Sequence, residues 1–333
     1  MKIAIIGGGW VGCHLALKLM DEHEVTIFEK NDLLFHETSF KNQNRLHFGY
    51  HYARNFRTRH LCENTFNTFI NDYGFLVKDI NKNFYCVPKN KSIIDFGTFT
   101  EIFKIKNSSI NFFSLTNMEG CVLTNEKYID YHAAHIFFNQ KLKKIFKKKK
   151  IDSSQLVKIS KNFDLIINAT NNEIKDTNII DDFYELTISL IYEKVNKTEF
   201  DSLTIVDGQF FSIYPYKDNL YTVTDVEHTP IKRYKKKPKS ISFVNDKLIK
   251  KKISLIENKI FEYYPNFKYD FKYADYFLSF KTKYNSASDD RYPIVTQSNN
   301  IINCFTGKIQ GIYIIENKIN ELISNFKNEK RGS

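Results

Sequence analysis

The chain opens on a short apolar run, residues 2–6 (KIAII), that breaks at three consecutive glycines and passes into a helical pattern. Apolar residues recur at Val11, Leu15 and Leu19, the spacing of one helix face. A second apolar run, 25–28, then ends at Glu29. Strand, glycine turn, helix, strand and acid in this order predict a βαβ unit that binds a dinucleotide. Gly7, Gly9 and Gly12 have the G-x-G-x-x-G spacing. The first permits a tight turn, and the second lets backbone approach a pyrophosphate. Gly12, with Ala16, lets the helix pack closely on the sheet. The free amides at the helix start, around Trp10 and Val11, hold phosphate. Glu29 can accept hydrogen bonds from ribose hydroxyls, and Lys30 adjoins it.

Further along, helical spacing runs over 58–73 with Gly74 as a stop, and 84–88 reads as a strand. Residues 93–103 form a short helix or turn. Residues 127–144 read as an amphipathic helix that ends in the Lys-rich stretch 143–150. Residues 161–170 form a buried strand running into a polar turn. From 184 onward the pattern changes to short strands joined by polar turns, over 186–194, 209–216, 220–224 and 240–243, with Asp218 and Asn219 as a hairpin turn. A basic loop (232–239), a helix (248–264), a strand (273–283), two short apolar runs (289–295 and 301–305) and a closing helix (312–326) complete the chain. The fold class is therefore α/β. A Rossmann-like dinucleotide-binding domain, expected over 1–50, 121–180 and 286–333, encloses a mostly antiparallel β-sheet substrate or cap domain, expected over 51–120 and 181–285.

Length and composition fit this layout. The chain has 333 residues, 42% of them hydrophobic, enough for two cores. The formal charge of +11 suits an anionic substrate or a solvated Lys-rich surface. Lysines 147–150 close a predicted helix, where cations meet its dipole, so they are not read as a nucleic-acid site. Cys13, Cys62, Cys86, Cys121 and Cys304 lack C-x-x-C spacing, which fits reduced thiols in a cytoplasm. No run reaches membrane-spanning length. Residues 3–20 carry a glycine cluster and no cleavage-like end, so the nucleotide-binding reading displaces that of a signal peptide.

The candidate chemistry lies in a dense polar and aromatic segment, 39–52, of the kind that lines sites. His47 and His51 are candidate proton acceptors because imidazole titrates near neutrality, and Tyr50 stands between them. Their spacing of four allows one helix face, while Gly49 makes a strand or loop equally plausible. No ligand spacing points to a metal. Arg45, Arg54, Arg57 and Arg59 are candidates to pair with a carboxylate or phosphate. Tyr52, Tyr214, Tyr216, His228 and Lys281 are further candidates for substrate contact.

Four stretches resemble the D-amino-acid-oxidase-like superfamily of FAD-dependent oxidoreductases. They are the glycine turn with Glu29 and Lys30, the strand 164–170 (DLIINAT) with Asn171 where glycine is usual, the turn 289–294 (DDRYPI), and the glycine turn 307–311 (GKIQG) before the last helix. The resemblance implies noncovalent FAD, since no cysteine occurs over 281–290 where some relatives attach flavin. It adds Ser39, Asn44, Thr170, Gly307, Lys308, Gly311 and Ile312 to the cofactor-binding candidates. It also adds Val157, on an expected strand over 154–159 that meets the adenine in relatives. It implies hydride transfer from a C–H beside an amine or hydroxyl of a small, anionic substrate to flavin N5. A non-redox alternative is an isomerase of the nucleotide-sugar mutase type, whose Gly-x-His loops are similar to residues 49–52.

Overall fold

The computed structural model describes residues 1–105, 112, 114–175, 182–284 and 290–332, the side chains of 327–332 excepted. Asp289 of the expected 289–294 turn lies outside these residues. In chain order the N-terminal part contains β1 (Lys2–Ile6), α1 (Trp10–Leu19), β2 (Glu24–Glu29), β3 (Arg45–Leu46), α2 (Phe56–Tyr73), β4 (Val77–Asp79), β5 (Asn83–Pro88) and α3 (Phe96–Ile102). The middle contains β6 (Met118–Thr124), β7 (Lys127–Ile129), α4 (Tyr131–Lys141), β8 (Phe146–Lys148), α5 (Ser153–Ile159) and β9 (Leu165–Asn168). The remainder contains β10 (Asp182–Lys194), β11 (Ser202–Ile205), β12 (Phe211–Lys217), β13 (Leu220–Asp225), β14 (Pro230–Tyr234), α6 (Asp246–Phe261), α7 (Phe267–Asp270), β15 (Phe271–Tyr284), β16 (Ile294–Ser298), β17 (Ile301–Phe305) and α8 (Ile312–Gly332).

One sheet has the strand order β16-β17-β9-β1-β2-β8. Its central pairs are parallel, and β16 alone runs antiparallel at the edge. Strand β1 is apolar because both of its faces are covered. Ile3 and Ile5 face the core of α1, α2, α4 and α8, while Ala4 and Ile6 face the core under α5. His14 ties three helices together inside the first core. Its Nδ1 pairs with the Tyr73 hydroxyl at 2.7 Å, and its Nε2 pairs with Glu316 at 2.9 Å.

The second sheet has eight strands. They run β14-β10-β13-β12-β11-β5-β6, with β15 paired along β10, and all its pairs are antiparallel except β11 with β5. Helix α6 closes one face through Ile249, Ile256 and Ile260. A third, three-stranded sheet, β3-β7-β4, lies beside the segment 47–52. The stretch 51–120 is shared between the two larger sheets. Helix α2 packs into the first core through Phe66, Phe69 and Tyr73, whereas β5 belongs to the second sheet. Strand β6, from the stretch 121–180, also pairs in the second sheet.

Several local expectations are corrected. Residues 127–129 are a strand, and α4 starts only after Asp130, whose carboxylate caps the Ala133 amide at 2.9 Å. Residues 153–159 are a helix, because Asp152 and Gln155 form a reciprocal capping box. Residues 240–243 are not a strand, and the strand lies earlier at β14, running into the start of the expected basic loop. Cys86 and Cys121 are not free thiols but form a disulfide. Antiparallel pairing of β5 with β6 sets them directly opposite, with Cα atoms 4.0 Å apart, across 35 residues of sequence. The inference of a reducing compartment from cysteine spacing therefore loses its basis. No helix among the described residues is long and apolar enough to cross a membrane.

The single tryptophan reports on the first core. Trp10 meets Phe35, Phe69, Tyr73 and Phe138 edge-on, with the Phe138 centroid 5.2 Å away. Phe138→Ala is expected to cost about 3–5 kcal/mol of stability. It should also shift Trp10 emission to the red, checked by chemical denaturation followed through tryptophan fluorescence.

Candidate active site

The parallel sheet delivers its glycine turn to the rim of a large cavity. Gly7 takes φ +101°, and a Cβ there would lie 2.6 Å from the Ala169 carbonyl. A Cβ on Gly12 would lie 1.9 Å from the Gly7 carbonyl, so only glycine lets α1 start this close to β1. Helix geometry leaves the amides of the first turn of α1 without intrahelical acceptors. One of them, Trp10 N, donates to Ser39 Oγ at 3.0 Å. Glu29 accepts from Gly8 N at 2.8 Å and from Asn31 N at 3.0 Å, so its carboxylate pins the turn to the end of β2.

The cavity measures about 860 Å³, within the range of small-molecule and cofactor sites. It runs past the glycine turn and Glu29, along Lys149, Lys150 and Ile151, to the polar turn after β9. There the Asn168 side chain accepts from the Thr170 hydroxyl at 2.8 Å and donates to Asn303 at 2.7 Å. Asn171, standing where relatives carry glycine, adopts φ 56°, a left-handed conformation that asparagine tolerates. At its other end the cavity is lined by Arg45, His47, His51, Tyr52, Lys281, Gly307 and Lys308.

The segment 45–52 bends because Gly49 takes φ +90° between β3 and a single turn of 3-10 helix, Tyr50–Tyr52. This brings the His47 and His51 rings to 4.4 Å between centroids. Both imidazoles are held well below their ordinary pKa. Burial is the main cause for each, followed by Lys308 and Arg45 for His47, and by His47 and Lys308 for His51. Both are therefore neutral near pH 7. Lys308 Nζ lies 3.4 Å from His51 Nε2 and 4.4 Å from the Tyr52 ring centroid. Arg45 stacks its guanidinium 4.0 Å from the Tyr214 ring and donates to Thr204 at 2.9 Å. Lys281 is pushed down to about 8, chiefly by burial and then by Lys283 and Lys308. Its neighbour Glu185 is engaged by Arg233 and Lys283.

The sequence-predicted residues divide by geometry. Gly7, Gly9, Trp10, Val11, Glu29, Lys30, Ser39, Asn44 and Thr170 line the nucleotide-turn side of the cavity. Gly12 lies behind the turn, where it sets the approach of helix to strand. Expectations for seven residues are corrected. Val157 is 60% exposed on α5, and residues 149–151 line the cavity instead. Tyr50 packs against Tyr85 and Phe103 away from the cavity. Tyr214 shares a face of β12 with the cavity-lining Ser212 but is covered by Arg45, while Tyr216, farther along, stacks on Tyr131 and Phe277. His228 sits in the turn after β13, where its amide donates to the Asp225 carboxylate, and its neighbours Asp225, Val226, Thr229 and Pro230 reach the lining while it does not. Gly311 packs on Thr306 and Pro293, and Ile312 is core, so this turn meets the cavity through residues 307–309. Glu126 and Tyr85 escaped sequence reading. Only the burial of an acid just beyond an apolar strand marks Glu126, and that burial is visible only in the fold.

These features fit a flavin nucleotide. Among the described residues, Arg45 Nε and His47 Nδ1 are buried polar atoms with no hydrogen-bond partner, and both belong to cavity-lining residues. The parallel sheet, glycine turn and acid at the end of β2 define a dinucleotide-binding protein with a second sheet roofing its site. A family profile described as "FAD dependent oxidoreductase" matches residues 2–78. The FAD-dependent monooxygenase FPY4 of Fusarium mangiferae is 32% identical over 97% of this chain and 91% of its own length. The glycine oxidase of Geobacillus kaustophilus superposes with a TM-score of 0.73 at 10% identity, covering 97% of this chain and 94% of the other. The FAD-bound L-alpha-glycerophosphate oxidase of Mycoplasma pneumoniae gives 0.66 at 11% identity, over 97% and 94%. The chain belongs to the D-amino-acid-oxidase-like family of FAD-dependent oxidoreductases, and its cofactor is FAD.

Two outcomes are expected. Gly9→Val should abolish FAD binding, since a Cβ at Gly9 already meets Ser39 Oγ at 2.9 Å and a larger side chain blocks the turn. The loss would be read from flavin absorbance of the purified protein. Lys281 is charged below about 8 and neutral above it. Affinity for a simple anion such as benzoate, followed by flavin fluorescence, should therefore fall as pH rises through this value, and Lys281→Met should flatten the profile.

Proposed function

We propose that this enzyme oxidises a C–N or C–O bond of a small anionic substrate. The observation that carries the reading is the meeting of two neutral imidazoles, His47 and His51, with the cations Arg45, Lys281 and Lys308 at one end of the cavity. The glycine turn, Glu29 and Lys30 would hold the nucleotide part of FAD noncovalently, with residues 307–309 lining the cavity beside His51. Bound FAD supplies a hydride acceptor at N5. The chain's own residues do the rest. Arg45 and Lys281 hold the substrate's anionic group, and the stack on Tyr214 keeps the Arg45 fork oriented. An imidazole kept neutral by burial accepts the proton from the substrate's amine or hydroxyl. The second sheet, through Thr204 and Phe211, excludes water from this end.

The name of the 32%-identical relative supports a second reading, monooxygenation. The two readings differ in stoichiometry. An oxidase reduces one O₂ to H₂O₂ per substrate with no external reductant. A monooxygenase retains one oxygen atom in the product and, when the substrate itself does not supply the electrons, consumes NAD(P)H.

The test is anaerobic mixing of the holoenzyme with a panel of amines, amino acids and hydroxy acids, followed by flavin bleaching. Once a bleaching substrate is in hand, His47→Ala or His51→Ala should slow reduction by ~10²–10⁴ with FAD retained. Arg45→Ala should chiefly raise the substrate Kd. Parent-rate bleaching in both histidine variants would remove the base assignment.

A further inference from the structure

A chain of hydrogen bonds leaves the cavity at His51 and ends on a carboxyl group with no exposure to solvent. His51 Nδ1 lies 3.2 Å from the Tyr85 hydroxyl, and that hydroxyl donates to Glu126 Oε2 at 2.7 Å. The other oxygen, Glu126 Oε1, accepts the Phe48 amide at 2.9 Å. Both Tyr85 and Glu126 are fully buried, and neither lines the cavity. We propose that Glu126 is a proton reservoir for the active site, reached from the cavity through His51 and Tyr85.

The donor inventory fixes the resting direction of this chain. Because the Tyr85 proton is given to Glu126, its oxygen accepts from His51, which makes His51 the Nδ1–H tautomer. Nε2 is then the acceptor nitrogen, with Lys308 Nζ 3.4 Å away. A proton arriving at Nε2 is matched by one leaving Nδ1 for Tyr85 and one leaving Tyr85 for Glu126. No charge is left on imidazole or phenol, His51 changes tautomer, and the carboxylate becomes the acid. Tyr85 ends as it began.

Such a sink is needed because His51 does not retain the proton itself. Burial, His47, Lys308, Arg45 and Arg291 all disfavour its imidazolium form. Glu126 is suited to the task. Burial pushes its carboxyl up to about 7, tempered by the Tyr85 hydrogen bond and by Arg45, so it changes protonation state near neutrality. The groups facing it are Arg45 from β3, Asn83 and Tyr85 from β5, Tyr214 from β12, Cys62 from α2 and Tyr50. Arg45 is the one cation among them.

The inference rests on the proposed role of His51, so its test uses no substrate. The probe is the infrared carbonyl band of a protonated carboxylic acid in the FAD-loaded enzyme, titrated across neutral pH and then transferred to ²H₂O. A band titrating near about 7, removed by Glu126→Gln, is expected. Glutamine can still accept the Phe48 amide through its side-chain oxygen, while its NH2 can only donate to the Tyr85 oxygen, and it holds no exchangeable carboxyl proton, so it separates the reservoir role from anchoring of the Phe48 amide. Isotope exchange of that band should slow by about 10²-fold in Tyr85→Phe and in His51→Phe. Absence of a titrating band that Glu126→Gln removes would overturn the proposal, as would unchanged exchange in both phenylalanine variants. If Glu126→Gln fails to fold, the exchange rates in the other two variants still decide. Absence of any bleaching substrate would count against the proposed function and leave these readouts intact.

Discussion

The contact between the start of α1 and the end of β1 governs this molecule. Gly12 has no room for a side chain over the Gly7 carbonyl, and Gly7 has none beside Ala169. These two clearances let the helix begin directly above the strand, with the start of its first turn on the cavity rather than in the core. The turn then serves as a reference point for the rest of the site. Glu29 is bonded to Gly8, Phe35 N donates to the Gly8 carbonyl at 2.7 Å, and Ser39 caps Trp10. Through these bonds the long segment after β2 is laid across the mouth of the site.

From there the chain reaches the second sheet through polar ties. Gln43 donates to Ser212 and Thr222, Thr38 donates to the Phe280 carbonyl, and Arg45 meets Thr204 and Tyr214. These contacts hold a loop from the nucleotide-binding side against the roof. The site is consequently made at a seam, where cavities commonly form. The same seam collects charge. Arg45 from β3, Lys281 from β15 and Lys308 from the glycine turn converge from three elements far apart in sequence. Desolvation, helped by Lys308 and Arg45 at His47 and His51 and by Lys283 and Lys308 at Lys281, lowers the basicity of all three. Neutral bases among fixed cations suit a site that binds an anion and removes a proton.

The carboxyl of Glu126 supplies the complementary acid-base character behind this wall. It sits where the segment 47–52 turns over β5, and its hydrogen bonds to Phe48 and Tyr85 hold that turn. Structural anchoring and proton storage need the same atoms, which is why a buried acid persists here rather than an apolar residue.

The sequence by itself determined the nucleotide-binding half, because that half is built from local rules. Apolar runs covered on both faces read as parallel strands, and the glycines of residues 7–12 report steric clearances that no other residue satisfies. Glu29 follows at the end of the next strand. Asp152 and Gln155 also announce a helix locally, against the strand that the family resemblance implies there. Tertiary structure alone decided the rest. The pairing of Cys86 with Cys121 depends on the register of β5 against β6. The removal of Tyr214 and Tyr216 from the cavity depends on Arg45 and on Tyr131 and Phe277 covering their rings, and that of His228 on its turn after β13. The charge and proton properties of His51, Lys281 and Glu126 arise from burial and from neighbours that the fold brings in, such as Lys308 beside His51 and Tyr85 between His51 and Glu126. Desolvation and convergence are properties of packed space, and a linear pattern of residue types carries neither.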